Sequence, residues 1–219
     1  MLNIFRILGD FSHLASIIIL IDTLRKTKNV DGISMKTQLC YAIVYITRYL
    51  DLLAFHYVSL YNTIFKLVFI GSSVYTIVLI QNCKVRNPIA FNDMIQKDSF
   101  PIKYLIAVST LLALIFNYKF TFFQLLWSFS IWLESVCILP QLFMLSKAKK
   151  AATLTTHYIF FLGLYRLLYI PNWVWRFYTE ERFEKISFFA GIIQTLLYSD
   201  FFYIYYKRVL KGKNFELPH

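Results

Sequence analysis

Residues 165–176 read YRLLYIPNWVWR, and what this stretch holds decides the fold. It is apolar and aromatic enough to lie in a membrane, yet Arg166 and Arg176 stand ten positions apart with Pro171 between them. A charged side chain at membrane depth costs about 3 kcal/mol or more, so it is expected to face a partner or a wet cavity. The rest of the chain has the same character. Of 219 residues 58% are hydrophobic, 19% aromatic and only 16% charged, where soluble domains carry about 25% charged residues. The chain reads as an all-α membrane protein. Its net charge of +11 does not point to nucleic acid, because the basic residues fall in short clusters between apolar runs. Membrane lipid headgroups are the expected partner. Cys40, Cys83 and Cys137 are far apart with no CxxC spacing, so they read as small packing residues, with no metal or cofactor expected.

Outward from this stretch, runs of roughly 17 to 25 residues, enough to cross about 30 Å of hydrocarbon, recur seven times. They cover approximately 4–24, 33–54, 59–81, 101–118, 121–145, 154–177 and 185–206. The first run holds Arg6, Asp10 and His13 inside its apolar part, so it is expected to be a retained span, not a cleaved signal. The second and third runs are joined by AFHY and the fourth and fifth by NYKF, connections that suit antiparallel helix hairpins. Lysines and arginines concentrate in loops 25–32, 82–100 and 146–153 and in the tail from 207. That side is expected to be cytosolic and the N-terminus lumenal. With no Pro/Gly/Ser-rich linker, residues 1–219 read as one domain with a short basic cytosolic tail at 207–219.

A shift of 118 positions aligns Leu8 with Leu126, Phe11 with Phe129, Ser12 with Ser130, Leu24 with Leu142, Thr37 with Thr155, and Arg48 with Arg166. The register pairs the first span with the fifth and the second with the sixth. Two three-helix repeats, spans 1–3 and 5–7, joined by linker span 4 are therefore expected, with the binding site at their interface. The polar residues near one end of the spans are Arg6, Asp10, His13, Arg48, Tyr49, Asp51, Gln124, Trp127, Tyr165, Arg166, Tyr169, Asn172, Trp173 and Arg176, with Glu134 and Asp200 deeper. Arg166 and Arg176 lie about 15 Å apart along a helix, on two levels of one wall, and Pro171 is expected to kink it. Internal pairs of Arg6 or Arg48 with Asp10, Asp51 or Glu134 would account for some of this charge. Four lumen-side arginines leave an excess that invites an anionic ligand.

The strings FRILGDFSHL, ITRYLDLL, SLYN, WSFSIWLESVCILPQLFMLSK, HYIF, LYRLLYIPNWVWR and LLYSDFFYIYY, with KRVLKGK after them, resemble the KDEL/HDEL receptor family, its fungal HDEL-type members above all. The resemblance implies seven transmembrane helices in the SWEET-like PQ-loop architecture, with Pro140 and Gln141 as the PQ of the fifth. It implies retrieval of escaped endoplasmic reticulum proteins from the acidic Golgi by COPI vesicles, with release at neutral pH, and no catalysis. The partner would be a C-terminal HDEL, DDEL or KDEL-type signal. Arg48 and Tyr49 would hold its terminal carboxylate, Arg6 would face its glutamate, Arg176 with Trp173 its aspartate, and Arg166 would be a way station. His13, working with Tyr165 and Glu134, would be the pH switch. Asp200, expected to be buried, would serve retrieval and help set a two-state equilibrium. Lys207, Arg208, Lys211 and Lys213 would recruit the COPI coat.

At Gln124 the family commonly has glutamate, which helps accept a basic residue at the fourth position from the cargo's end; with Asp51 and Trp127 remaining, the pocket should be less demanding of lysine. The rival reading is a small-solute transporter, since SWEET-type proteins share the architecture and fold does not settle function. It would require a path open alternately to both sides, whereas the arginines suit a fixed anionic ligand. No HExxH, GxGD-like aspartate pair or serine with a general base suggests an enzyme.

Overall fold

A computed structural model describes residues 3–52, 59–147, 153–181 and 183–206 of the chain. The AFHY connection, Arg182 and the tail residues Lys207, Arg208, Lys211 and Lys213 lie outside the described residues. The described chain is all-helical: α1 Ile4–Thr27, α2 Met35–Arg48, a 3-10 turn Leu50–Leu52, α3 Leu60–Arg86, α4 Pro88–Lys97, α5 Ile102–Ile115, α6 Phe122–Val136, α7 Leu139–Lys147, α8 Thr153–Glu180 and α9 Lys185–Tyr205.

Local chemistry sets these boundaries. Asn3, Ser34, Ser59 and Asn87 accept hydrogen bonds from the amides of Arg6, Thr37, Asn62 and Ala90 and so cap α1, α2, α3 and α4. Pro88 begins α4 at a position where its missing N–H costs nothing. Pro140 interrupts the fifth expected span, because its ring removes a helical donor and crowds the carbonyl four residues earlier. The amide of Gln141 is diverted to the Thr37 hydroxyl at 3.0 Å. The Gln141 side chain, fully buried, accepts from the Ser34 amide at 2.8 Å and donates to the Gly32 carbonyl at 2.7 Å. Asp98 completes this clamp on the start of α2, accepting from the Ser34 hydroxyl and the Lys36 amide, each at 2.9 Å. Burial pushes the Asp98 carboxyl's pKa up, and those two bonds oppose the rise.

Among the described residues four helical units are long and apolar enough to cross a membrane: α1, α3, α6 with α7, and α9. The pair α4 and α5 makes a fifth if its 52° bend is taken within one span. The sequence reading differs from the structure in two places. It assigned 82–100 to a loop, but Asn87 and Pro88 start the helix α4 there. It carried the second span to residue 54, but α2 stops at Arg48, and its 14 residues rise only about 21 Å. Pro171, where a kink was expected, lies inside α8. Arg48 and Arg166 stand on α2 and α8, neither of which is among these units: α2 has only 14 residues, and α8, 28 residues long, is too polar.

The packing follows a pattern of exchange. α1 packs on α8 while α2 packs on α6; α1 on α3 while α6 packs on α9; α2 on α3 while α8 packs on α9. Close approach of α1 to α8 requires Gly9, where an added Cβ would lie 2.8 Å from the Tyr169 ring. Leu133, Ile138, Ile159 and Leu162, all at most 2% exposed, form the centre of the core. Asp200 is not buried as expected. The inward face of α9 there is taken by Tyr198 and Phe201, which turns Ser199 and Asp200 outward.

Candidate functional site

The site starts at the end of α2. Helix geometry stops at Arg48, and Tyr49 caps the helix with its amide on the Tyr45 carbonyl at 3.0 Å. Non-helical backbone at membrane depth is tolerated where it lines a cavity, and a cavity of about 610 Å3 opens here. Arg48, Tyr49, Asp51, Lys66, Gln124 and Trp127 bound it. Its size lies within the roughly 300 to 1,000 Å3 of ligand pockets.

Behind this cavity lies a buried charge cluster. Glu134, 2% exposed on α6, receives Arg48 Nη1 at 2.5 Å and also Arg166 Nη2. The Tyr165 hydroxyl donates to Glu134 Oε1, and Arg166 Nη2 donates to the Tyr165 oxygen at 3.0 Å. Arg48 also donates from Nε to the Ser130 hydroxyl at 3.2 Å and from Nη2 to the Ser130 carbonyl at 3.0 Å. The two arginines aligned by the 118-residue shift thus converge on one carboxylate. Two guanidiniums on one carboxylate leave a net positive charge, and Arg166 Nε is buried with no hydrogen-bond partner among the described residues.

His13 is built into the side of this cluster. Its ring stacks on Tyr165, centroids 4.2 Å apart at 8°, and on Phe69 at 4.6 Å and 28°. Its Nε2 and the Tyr45 hydroxyl are hydrogen-bonded at 2.8 Å. His13, Tyr165 and Glu134 are therefore contiguous, Tyr165 touching both of the others.

A second level of charge lies nearer the helix ends. Asp10 accepts from the Tyr61 hydroxyl at 2.8 Å and from the Tyr169 hydroxyl, with Arg6 Nε at 3.7 Å. Arg6 also donates to the Asn62 side chain and lies over the Tyr61 ring. Arg176 is held by Glu180 and Glu184, each at 3.1 Å. Asp51 pairs with Lys66, which the sequence reading passed over.

The expected excess is narrower than the number of arginines: Arg6 and Arg176 have carboxylates of their own, and the surplus is confined to Arg48 and Arg166, which share Glu134. Glu180 follows Arg176 by one helical turn at the end of α8, and Glu184 stands beyond that end, at the start of α9. Trp173 stands beneath Arg166, whose guanidinium carbon lies 5.9 Å from its ring, and it is 5% exposed. Its indole sits against Gly191, where a Cβ would come within 2.4 Å. Of the expected ligand contacts, Arg48, Tyr49, Asp51, Gln124 and Trp127 share the cavity, whereas Arg6, Arg166, Tyr169, Trp173 and Arg176 do not bound it. Ser130, Tyr45, Phe69, Asn62 and Lys66 were not anticipated, although Ser130 had already appeared in the repeat alignment.

Comparison with known proteins places this geometry. The family model described as ER lumen protein retaining receptor matches residues 29–176. The chain is 65% identical, over the full length of both, to the Kluyveromyces lactis protein named ER lumen protein-retaining receptor. It is 60% identical to the Saccharomyces cerevisiae protein of the same name, over 99% of this chain and 100% of that one. It is 49% identical to human ER lumen protein-retaining receptor 2, again over 99% of this chain and 100% of that one. A chain whose apolar helices enclose a cationic cavity, and which matches these proteins from end to end, belongs to the family of ER lumen protein retaining receptors.

Proposed function

We propose that this chain captures the C-terminal HDEL or KDEL-type signal of escaped lumenal proteins in the acidic Golgi and returns them to the endoplasmic reticulum, releasing them at neutral pH. The observation that carries this reading is the net positive charge where Arg48 meets a cavity of about 610 Å3. A peptide ending in two acidic side chains and a free carboxylate complements it. Arg48 and Tyr49 take the terminal carboxylate, with Arg166 behind them and Trp127 as an aromatic wall. Arg6 with Tyr169, and Arg176 with Trp173, meet the acidic side chains by exchanging Asp10, Glu180 and Glu184 for the ligand's carboxylates. His13, Tyr165 and Glu134 couple protonation to capture. The contiguous stacking supports this coupling, since a charge on His13 would be felt by Glu134 through a single tyrosine.

The same reading carries the membrane arrangement. Seven spans in the PQ-loop architecture place α1 to α3 and α6 to α9 as two repeats, and the exchanging helix pairs support it. The N-terminus is lumenal and the C-terminus cytosolic. The chain is one domain with no catalytic role, carried in membrane lipid, and its tail at Lys207, Arg208, Lys211 and Lys213 engages the COPI coat. Asp200, exposed near the end of α9, acts in retrieval from the outer surface of the bundle.

The test is a fluorescent HDEL peptide on purified full-length protein. If capture is coupled to protonation, affinity should be high at pH about 5.5 and fall at pH about 7.2 as the proton leaves. His13→Ala should remove the difference. Affinity that is flat with pH in the unaltered protein would refute the switch, and no binding at either pH would refute the ligand.

The signal's fourth position from the end is set by Gln124. Because Lys66 already balances Asp51 in the same cavity, little negative charge opposes an acidic residue there, and the Gln124 amide can donate to it. HDEL and DDEL should both bind. Gln124→Glu should shift preference toward KDEL over DDEL by about 1 to 2 kcal/mol, roughly one hydrogen bond to a charged group. Competition between the two peptides at acid pH measures the ratio; no change after the substitution would assign the choice to Asp51 or Lys66.

A further inference from the structure

Away from the cleft, a pocket of about 300 Å3 lies between the C-terminal ends of α1 and α3. Arg25, Lys28 and Arg86 stand around it, and Leu24, Leu79 and Tyr75 form its inner wall. Three other basic residues at this end of the bundle have nearby partners. Lys26 pairs with Asp22 at 2.8 Å, Lys97 with Asp93 at 2.6 Å and Asp31 at 3.4 Å, and Lys36 donates to the Phe100 carbonyl at 2.8 Å. Arg25, Lys28 and Arg86 have no carboxylate within 4.0 Å among the described residues.

Basic residues at helix C-termini offset the helix dipole, which would account for charge at this end without a pocket. It does not account for Lys28. This residue has φ 51°, in the left-handed region that glycine favours at a helix end. Its carbonyl accepts from the buried Cys83 thiol at 3.7 Å, which ties the corner to α3. A lysine there adopts a conformation that costs about 1 kcal/mol over glycine, so the backbone does not explain the residue, and its side chain lines the pocket. The pocket is also graded: guanidinium and ammonium groups at the mouth, then Asn82, then Tyr75 and Leu79 along α3 toward the middle of the helix.

We propose that this pocket binds the phosphate headgroup of an anionic phospholipid. Arg25, Lys28 and Arg86 hold the phosphate by charge-assisted bonds, Asn82 meets the headgroup's hydroxyls, and the lipid's glycerol and first methylenes lie along Tyr75 and Leu79. A free phosphate would use the mouth alone and leave the apolar wall idle. Basic pockets between transmembrane helices are a recognised means of holding such headgroups.

Full-length protein in detergent, incubated with phosphatidylinositol 4-phosphate and analysed by native mass spectrometry, tests this. The unaltered protein should retain the lipid, and phosphatidylcholine should not replace it. Arg86→Gln and Lys28→Gly should each reduce the bound fraction at least fivefold, while Lys26→Gln and Lys84→Gln, whose side chains lie outside the pocket, should leave it unchanged. Lys28→Gly separates binding from folding, because glycine relieves the left-handed corner: its Tm without lipid should equal or exceed that of the unaltered protein, and the lipid-induced rise should vanish. Equal losses in the Lys26 and Lys84 variants would reduce the site to diffuse surface attraction and overturn the proposal. Displacement of the lipid by an equal concentration of inositol 1,4-bisphosphate would make a soluble phosphate the ligand and overturn the lipid assignment. Absence of any retained lipid would overturn both.

Discussion

Arg48→Ala is expected to weaken capture of an HDEL peptide by about a hundredfold or more while the protein stays folded. Arg48 joins the buried cluster to the open cavity, bonding Glu134 and Ser130 on one side and bounding the cavity on the other. A terminal carboxylate taken by its planar fork gains two charge-assisted bonds of about 1.5 to 3 kcal/mol each. Every 1.4 kcal/mol is about tenfold in affinity. Folding survives because Glu134 keeps Arg166 and the Tyr165 hydroxyl as partners. Arg48→Lys should recover only part of the loss, since an ammonium cannot offer the fork.

A C-terminally amidated peptide sharpens the test. The unaltered receptor should reject it by a similar factor, and Arg48→Ala should no longer distinguish amide from acid. If the variant still preferred the acid by a hundredfold, the carboxylate would sit elsewhere, with Arg166 or Arg6 the next candidates. Arg176→Ala should cost less than Arg48→Ala, because Arg176 already has Glu180 and Glu184 and gains only the difference between those carboxylates and the ligand's.

How far the sequence could be read depends on what each residue's signal was. The apolar runs announced a helical membrane protein because composition is a bulk property that survives errors of a few residues at each boundary. The equivalence of Arg48 and Arg166 was legible as a register, since a shift of 118 aligns them, but their convergence was not. Glu134 was one of three carboxylates named as partners for Arg6 or Arg48, but it aligns with Ser16, so nothing in the repeat marks it as the point where Arg48 and Arg166 meet. Lys66 could have been found, because it stands inside the third apolar run and the rule that flagged the arginines applies to it equally. Glu180 and Glu184 fall between the expected runs 154–177 and 185–206, and only the continuation of α8 to Glu180 brings the first of them under Arg176. The short α2 was hidden for a different reason. ITRYLDLL has no proline or glycine to end a helix, so the stop at Arg48 is set by tertiary packing around the cavity and carries no local signature.

The charge balance of the cluster gives the second large effect. Glu134→Ala should destabilise the receptor by about 3 to 5 kcal/mol, the usual consequence of removing one partner from a buried ion pair, and lower its Tm by on the order of 10 °C. Two guanidiniums would then face each other across an apolar interior with no anion between them. Arg166 is the one that suffers, since its side chain is 6% exposed, whereas that of Arg48 is 16% exposed and can take water from the cavity. The double variant Glu134→Ala with Arg166→Ala should therefore recover at least half of the lost stability, leaving Arg48 with Ser130 and solvent. Thermal unfolding of the three variants in one detergent gives the coupling directly. Additive losses would mean that Arg166 does not depend on Glu134. A recovered double variant that still fails to bind HDEL would show that Arg166 and Glu134 serve the ligand as well as the fold, because stability would then be restored without the function.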